Sequence, residues 1–347
     1  YDEIIFSSKT SNRNGTNSGH TFIFFGRPEG YSGIISASKA DASLMGSVYD
    51  NSGWSLASAG DVNGDDYEDL MVGAYSNRAG YINKVYLVFG GPKSIFSRNM
   101  SLSVANASFE RESPQDSVGS VVSGAGDVNG DGFDDILIGA YDNDEHGTLR
   151  GQVYLIFGRS SPWSMGMSLS TANASFYGES DGDTLGRSAS GGGDVNGDGY
   201  DDFILGADQS SEHGSSSGQS YLFFGKENTW SMDTSVSTAD ASYHGPRNTY
   251  SGYSLSMGGD VNGDGYDDIM IGCQDESRGY AWLVLKEIND GPLPISSFTV
   301  YADNGYSKET RYSSAYESFY LEVVGTDQNS SRLDRVTILI GGDVYPI

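Results

Sequence analysis

The sequence predicts an all-β fold made of repeated four-stranded units, and three observations support this prediction. Other landmarks share the period of a recurring acidic run, among them ANASF at 105–109 and 172–176 and QVYLIFGR at 152–159. The 48 glycines favour tight turns between short strands. The acidic run is close to DVNGDGYDD, and at steps of 66, 67 and 66 residues it begins at Asp61, Asp127, Asp194 and Asp260. Several signals in fixed order at one period indicate structural repeats.

Each unit contains four strand-like segments in a constant order. A Gly/Ser-rich segment such as SVVSGAG leads into the acidic run, and the short apolar segment DDILIGA follows it. Such an apolar run is typical of a strand that is buried on both faces. An alternating strand such as QVYLIFG and the ANASF strand complete the unit. Four antiparallel strands repeated radially would form the blades of a β-propeller, whereas a linear solenoid is the competing structure.

The ends of the repeat array determine how many blades are visible. The opening segment YDEIIFSS aligns with DDILIGAY, so residue 1 falls inside a unit whose acidic loop and first strand are absent. Four complete acidic loops and five strands of the FFG type indicate at least five units. We expect the ring to be completed by upstream sequence or by strands from a neighbouring subunit, because open edges are avoided.

The acidic runs place oxygen-bearing side chains at loop positions 1, 3, 5 and 9, and position 7 can offer its backbone carbonyl. Glycines at positions 4 and 6 permit the positive φ angles of a tight loop. Three carboxylates, an amide and a carbonyl are hard ligands of the kind that Ca²⁺ prefers. Four Ca²⁺ sites are therefore predicted, with these ligands: Asp61, Asn63, Asp65, Tyr67 and Asp69; Asp127, Asn129, Asp131, Phe133 and Asp135; Asp194, Asn196, Asp198, Tyr200 and Asp202; Asp260, Asn262, Asp264, Tyr266 and Asp268.

The loops differ from EF-hands, because apolar residues occupy the twelfth position, where a bidentate Glu would stand. The acidic residue at position 8 (Glu68, Asp134, Asp201, Asp267) is expected to point outward into solvent. The first loop has Asp66 in place of the second glycine, which Asp tolerates better than most residues. The competing interpretation, that Asp, Asn and Gly merely form turns, fits one such loop better than four with identical spacing.

The order of these motifs resembles the FG-GAP repeat of integrin alpha-chain propellers and of many microbial surface proteins. The segment VGSVVSGAGDVNGDGFDDILIGAYDNDEHGTLRGQVYLIFG and its three relatives carry the resemblance, which covers about residues 1–287. It implies a β-propeller with Ca²⁺ in loops on one face and a partner surface on the opposite face. Propellers of this family commonly have seven blades, more than the five units visible here.

The repeat ends near Glu287, and this ending divides the chain into predicted domains. Residues 1–287 form the propeller, 288–295 a linker that contains two prolines, and 296–347 a small β-sandwich. The last segment looks like the short sandwich modules of large surface proteins. Because about 50 residues are few for a sandwich, we expect this module to dock on the propeller, to continue beyond Ile347 or to pair with another chain.

Composition narrows the function further. With 47 acidic and 20 basic residues, the net charge of −27 disfavours nucleic acid and anionic membrane surfaces as partners. The single Cys273 excludes an intrachain disulfide, and no apolar run reaches the length of a membrane helix. The four histidines (His20, His146, His213, His244) lie in polar, loop-like contexts with no nucleophile motif. The chain is therefore not expected to be an enzyme.

The predicted function is that of an extracellular, calcium-binding structural or adhesion protein, in which Ca²⁺ stabilises the blades of a cell-surface layer or filament subunit. No signal peptide is visible, so an export signal is expected upstream. The expected partners are other surface proteins or copies of the chain itself. The alternatives are a glycan-binding, lectin-like propeller and an accessory domain of a secreted hydrolase.

Overall fold

The computed structural model describes residues 2–76, 78, 82–113, 116–227, 229–274 and 281–285, and the backbone of strand segments at 279–280, 296–302, 320–324, 335–340 and 343–346. The first strands are β1 (Ile4–Ser8), β2 (His20–Phe24), β3 (Ala42–Met45), β4 (Ser52–Gly60), β5 (Asp69–Ala74), β6 (Lys84–Val88), β7 (Met100–Ser101), β8 (Ala107–Glu110), β9 (Val121–Gly126), β10 (Asp135–Ala140), β11 (Gln152–Ile156), β12 (Met167–Ser168) and β13 (Ala174–Tyr177). The remaining strands are β14 (Ser188–Gly193), β15 (Asp202–Ala207), β16 (Gln219–Phe223), β17 (Thr234–Ser235), β18 (Ala241–His244), β19 (Ser251–Met257), β20 (Ile269–Gln274), β21 (Gly279–Leu285), β22 (Ser296–Ala302), β23 (Tyr320–Val324), β24 (Arg335–Ile340) and β25 (Asp343–Pro346).

Helical structure in the described residues is limited to five short 3₁₀ turns, at Ala37–Lys39, Lys93–Ile95, Leu102–Val104, Leu169–Thr171 and Val236–Thr238. The all-β prediction is thus confirmed. Among the described residues, no helix has the length and apolar character needed to cross a bilayer.

Five sheets follow one another along the chain, and we call them blades 1 to 5. Blade 3 shows the pattern: the order is β9-β10-β11-β13, with antiparallel pairing throughout. Blade 2 (β4-β5-β6-β8), blade 4 (β14-β15-β16-β18) and blade 5 (β19-β20-β21-β22) repeat it, whereas blade 1 contains β1, β2 and β3 without the Gly/Ser-rich first strand. This arrangement confirms the predicted β-propeller and the truncated first unit.

The Gly/Ser-rich first strands of blades 2 to 5 lie against one another along the inner side of the array. Their small residues allow this close approach. A Cβ added to Gly124 would lie 2.9 Å from the carbonyl oxygen of Ser58 in blade 2, and one added to Gly191 would lie 2.9 Å from the Cα of Ala125 in blade 3. The composition of these strands therefore follows from the crowding between neighbouring blades.

Apolar side chains of the second strands form the core between blades. Met71 of blade 2 shares one buried cluster with Ile136 and Ile138 of blade 3. Its counterpart in blade 3, Leu137, shares the next cluster with Phe203 and Leu205 of blade 4. The middle residue of each second strand thus packs toward the first and third apolar residues of the following blade, which explains why these strands are buried on both faces.

Blade borders also include short strands that the sequence pattern did not predict. The two-residue strands β7, β12 and β17 pair in parallel with the last strand of the preceding blade, β3, β8 and β13 respectively. Blades 1, 2 and 3 are therefore each extended by a piece of the following blade. This link adds backbone hydrogen bonds across the blade border.

The C-terminal segment differs in one respect from the prediction. Strand β22, which the sequence assigns to the start of a separate sandwich, pairs with β21 along its whole length as the fourth strand of blade 5. Strands β23, β24 and β25 form an antiparallel sheet of their own. The sandwich and the domain limits at 288–295 and 296–347 stay predictions.

Candidate metal centre

The four acidic loops join the first and second strands of blades 2 to 5, and their first residue shapes each turn. In the loop of blade 3, Asp127 Oδ1 accepts hydrogen bonds from the N–H groups of Gly130 at 2.7 Å and Asp131 at 3.0 Å, and Oδ2 accepts one from Gly132 at 2.8 Å. The same three bonds recur in the other loops, to Asp61, Asp194 and Asp260. These amide donors, with Gly265 foremost, lower the pKa of Asp260. The aspartate at position 1 therefore organises the backbone of each loop through the amide hydrogen bonds that it accepts.

The predicted backbone geometry is present. Gly130 and Gly132 have φ angles of +73° and +89°, and Asp66, which replaces the second glycine in the first loop, adopts φ +68°. Asp66 therefore takes up the left-handed conformation that the loop requires, so this substitution leaves the turn intact.

The Asp at position 9 is the buried anchor of each loop. Asp135 Oδ2 accepts from Val128 N at 3.1 Å, and its Oδ1 accepts from Gly158 N at 2.9 Å, where the third strand ends. Asp69 and Asp202 make the same pair of bonds. In the described residues, the Oδ1 atom of Asp268 is buried and has no hydrogen-bond partner. The glycine that follows the third strand of the same blade (Gly90, Gly158 or Gly225) thus belongs to the loop structure, which sequence analysis missed.

Burial makes the charged form of these anchors costly when no cation is present. Desolvation raises the pKa of Asp69, Asp135, Asp202 and Asp268 to about 7, 8, 7 and 6 respectively. The other carboxylates of the same loop raise the pKa of each further. A bound divalent cation would favour the charged form, so the environment of position 9 fits a metal ligand.

The asparagine at position 3 contacts either the anchor or the aspartate at position 5 of its own loop. The Asn63 amide nitrogen lies 3.3 Å from Asp69 Oδ2, and in the last loop the Asn262 nitrogen lies 3.0 Å from Asp264 Oδ2. Within the described part of the chain, no three or more His, Cys, Asp and Glu side chains converge on one point. The carboxylate and amide oxygens of the loops are donors of the kind that a hard cation prefers. The complete ligand sets, with the carbonyls of Tyr67, Phe133, Tyr200 and Tyr266, stay a prediction.

The expectation for position 8 is wrong for three of the four loops. Asp134 Oδ2 accepts from Asp61 N at 2.7 Å in the preceding blade's loop, and Asp134 N donates to Asp61 O at 3.3 Å. Asp201 and Asp267 bind the preceding loops in the same way. These carboxylates are half-buried between blades, because each reaches the backbone of the loop before it. Glu68, whose blade follows the truncated unit, is exposed as predicted.

The aromatic residue at position 7 makes a second contact between loops. A Cβ on Gly64, at position 4, would lie 2.6 Å from the Phe133 ring of the next loop. Gly130 and Gly197 stand in the same relation to Tyr200 and Tyr266. Glycine at position 4 thus serves both the turn and the seating of the next loop's aromatic ring. The four loops form one connected row along one side of the array.

Comparison with known proteins agrees with this geometry. The model of the FG-GAP repeat matches residues 52–88, 118–156, 185–223 and 251–284, which contain the first three strands of blades 2 to 5. Integrin alpha pat-2 of Caenorhabditis briggsae is 28% identical over 176 residues, which cover 47% of this chain and 14% of that protein.

A second relative has the name of an enzyme. Phosphatidylinositol-glycan-specific phospholipase D of Bos taurus is 34% identical over 127 residues, 35% of this chain and 15% of that protein. The matched part is a small fraction of the length of both relatives. The four matched segments, and the blades that they form, show that the chain contains four FG-GAP repeats.

Proposed function

We propose that this chain is a non-enzymatic, extracellular structural or adhesion protein whose propeller is stabilised by four Ca²⁺ ions. The row of connected acidic loops is the observation that carries this proposal. Each loop combines a buried carboxylate of raised pKa with hard oxygen donors, and three inter-loop contacts would transmit the effect of an ion to a neighbouring blade. The integrin alpha relative supports an adhesion role.

The residues at positions 1, 3, 5, 7 and 9 would hold each ion, and the ion would supply positive charge to a crowded set of carboxylates. The loops contain seventeen of the 47 acidic residues. Extracellular calcium modules bind with dissociation constants of about 10⁻⁴–10⁻³ M, a range that cytosolic calcium does not reach. The proposed location outside the cell follows from this affinity range.

Thermal unfolding of the full chain in 2 mM CaCl₂, in 2 mM MgCl₂ and in excess EDTA tests the proposal. At about 2 to 20 times the dissociation constants given above, each calcium site stabilises the fold by about 0.6–1.8 kcal/mol, so the four sites together should raise the melting temperature clearly in calcium and less in magnesium. Equilibrium dialysis with elemental analysis should find four calcium ions per chain. Superimposed melting curves in calcium and EDTA, with less than one bound ion, would refute the proposal.

We also propose that copies of the chain associate end to end. Strand pairing matches Ile4 and Phe6 to Ile136 and Ile138, one residue away from the alignment given in the sequence analysis, so they are the first and third apolar residues of the second strand in blade 1. They are 52% and 40% exposed, and Met270, the middle residue in blade 5, is 47% exposed. Equivalent residues in blades 2 to 4 pack on each other across blade borders. Met270 of one copy would therefore pack against Ile4 and Phe6 of the next copy, as the middle residue of a second strand packs on the following blade within the chain.

Sedimentation velocity at increasing concentration tests this association. The wild-type chain should form larger species, and Met270→Glu should remain monomeric, because a charge in the end face opposes its burial. A matched Ile35→Glu variant, also at an exposed apolar residue, should associate like the wild type. A monomer at every concentration would rule out association through these faces.

The name of the phospholipase D relative raises the possibility of a catalytic chain. The match covers 15% of that protein, which leaves most of it outside the similarity. We propose that the repeats contribute a non-catalytic module here. Release of phosphate or sugar products from candidate substrates by the purified chain would contradict this assignment.

A further inference from the structure

Each acidic loop contains an asparagine–glycine pair at its positions 3 and 4. The pairs are Asn63 and Gly64, Asn129 and Gly130, Asn196 and Gly197, and Asn262 and Gly263. Glycine has no side chain that would hinder its backbone nitrogen, so this nitrogen can attack the side-chain amide of the preceding asparagine. The glycine is exposed in all four loops, which gives water access to the reacting atoms. The repeat therefore carries one chemically reactive pair per loop.

The reaction open to such a pair is deamidation, which needs only water. The glycine nitrogen bonds to the side-chain carbonyl carbon of the asparagine, and the amide nitrogen leaves as ammonia with the proton that the glycine nitrogen has lost. The cyclic imide that results takes up one water molecule and opens to aspartate or to isoaspartate. In isoaspartate the backbone runs through the former side chain and is one carbon longer. Nothing is oxidised or reduced.

The aspartate at position 1 holds the attacking nitrogen in every loop. Gly130 N donates to Asp127 Oδ1 at 2.7 Å. The equivalent distances are 2.7 Å for Gly64, 2.6 Å for Gly197 and 2.6 Å for Gly263. A carboxylate that accepts this bond favours the protonated N–H, because negative charge beside the nitrogen opposes loss of its proton. A closed loop therefore keeps the nitrogen in its unreactive form.

The asparagine side chains are also held, to different degrees. Asn129 is 9% exposed, and its Oδ1 accepts from the N–H of position 5 at 2.8 Å. Asn196 and Asn262 accept the same bond at 2.8 Å. Within the described part of the chain, Asn63 lacks this bond, and its Nδ2 lies 3.3 Å from Asp69 Oδ2. The first loop thus restrains its asparagine least.

We propose that these four asparagines are sites of deamidation, and that the position-1 aspartate suppresses the reaction while its loop is closed. The reaction then requires local opening of the loop, and its rate follows the open fraction. Hydrogen bonds to charged groups are among the stronger ones in proteins, so a closed loop should react at least about tenfold more slowly than the unfolded chain. Asn63 should react before Asn129.

Conversion to isoaspartate would also affect the following blade. The longer backbone displaces the glycine at position 4, which seats the aromatic ring of the next loop. A Cβ added to Gly130 would lie 2.5 Å from the Tyr200 ring, so this contact leaves little room for displacement. Deamidation of Asn129 to isoaspartate should therefore weaken the contact between the loops of blades 3 and 4.

Peptide mapping by mass spectrometry tests the proposal on the full chain, incubated at pH 8 and 37 °C in excess EDTA. Each loop asparagine should deamidate at least about tenfold more slowly than in the same chain in urea, with Asn63 the fastest of the four. Equal rates with and without urea would overturn the protection, and an absence of deamidation in urea would overturn the sites. Because EDTA removes calcium, the outcome does not depend on the proposed calcium binding.

Two substitutions in one loop separate the hydrogen bond from the charge. Asp127→Ala removes the acceptor of Gly130 N and should speed deamidation of Asn129 at least about tenfold, with Asn262 unchanged. Asp131→Ala is the matched control, because it removes an equal charge from the same loop while its side chain accepts from Phe133 N. It should change the rate at Asn129 much less.

The remaining outcomes are also decisive. Equal rates at Asn129 in folded Asp127→Ala and Asp131→Ala would overturn the role of the position-1 aspartate. If Asp127→Ala unfolds the chain, all four sites react faster together, and the milder Asp127→Asn takes its place. That variant keeps a neutral acceptor and should speed the reaction at Asn129 alone, so an unchanged rate there would refute the proposal.

Discussion

At the scale of single residues, the acidic loops contain two kinds of aspartate, buried and exposed, which the sequence alone does not distinguish. Asp135 is fully buried and accepts two backbone hydrogen bonds, while Asp131 is exposed and accepts one, from Phe133 N. Both are predicted metal ligands. The difference in burial means that position 9 supports the fold even without an ion, whereas position 5 contributes mainly when an ion is bound.

Substitution at these two positions should have different effects. Asp135→Ala leaves the N–H groups of Val128 and Gly158 without acceptors, so unfolding free energy in EDTA should fall by about 2–4 kcal/mol. Asp131→Ala should change stability in EDTA by less than about 1 kcal/mol but should lose stabilisation by calcium. Urea denaturation in EDTA and in CaCl₂ measures both effects. Equal losses for the two variants in EDTA would contradict this distinction.

The position-8 carboxylates provide a second comparison between residues. Asp134→Ala removes the 2.7 Å hydrogen bond to Asp61 N, so unfolding free energy should fall by about 1–3 kcal/mol. Glu68→Ala changes the same loop position in blade 2, where the side chain is exposed, and should cost less than about 0.5 kcal/mol. Chemical denaturation of both variants checks the prediction, which fails if Glu68→Ala is the more damaging change.

At the scale of elements, one packing rule is repeated from blade to blade. Leu137 of β10 is fully buried against blade 4, whereas Met270 occupies the same place in β20 and is 47% exposed. The position within the repeat is identical, so the difference comes only from what lies beside the blade. Whether the middle residue of a second strand is buried therefore depends on the presence of a following blade.

The same truncation at these two places should therefore have unequal costs. Leu137→Ala creates a cavity between blades 3 and 4 and should lower the unfolding free energy by about 2–5 kcal/mol. Met270→Ala should cost less than about 1 kcal/mol, because the side chain contributes little buried area. Denaturation midpoints at low protein concentration, where chains are separate, measure the two costs. Similar losses would refute the blade-border packing described above.

Two acids interact at the border of blades 2 and 3, where Glu112 follows β8 and Glu145 lies in the β10–β11 hairpin. Burial, and then Glu145, raise the pKa of Glu112 to about 7. Because the pKa is higher in the folded state, stability falls as pH rises from the unfolded value, near 4.5, through about 7. Glu112→Gln should therefore stabilise the chain at pH 8 relative to wild type, and less so at pH 5. Denaturation at both pH values tests this, with the exposed Glu29→Gln as a control that should show no such dependence.

How far sequence alone predicts this structure is also decided at the scale of elements. Strands such as β10 and the four loops were predictable, because their patterns are local and are repeated at one period. The contact of Asp134 with Asp61 was not, because it joins residues 73 apart and an acidic residue in a loop is usually solvated. The pairing of β7 with β3 was missed for a similar reason, since two residues carry no strand signal. The ion ligands remain predictions from spacing.

At the scale of the whole molecule, charge and topology act together. Seventeen of the 47 acidic residues lie in four loops that form one row, so the loops repel one another through space. The inter-loop hydrogen bonds and the aromatic contacts oppose this repulsion. The stability of the whole array should therefore depend on ionic strength.

Salt should stabilise the calcium-free chain. The screening length shortens from about 30 Å at 0.01 M to about 10 Å at 0.1 M ionic strength, which weakens repulsion between loops. The melting temperature in EDTA should therefore rise with NaCl and with choline chloride alike, and it should rise less in CaCl₂. Scanning fluorimetry measures these shifts. An increase with NaCl alone would indicate specific sodium binding instead of screening.

The contacts between acidic loops have a direction, and this has an evolutionary consequence. At each of the three joints, the earlier loop presents glycine and a backbone amide, and the later loop presents an aromatic ring and a carboxylate. Any unit can therefore follow any other without a matched pair of mutations. Gene duplication could lengthen such a protein by one unit at a time, because each added unit would already encode the residues that contact the loop before it and the loop after it.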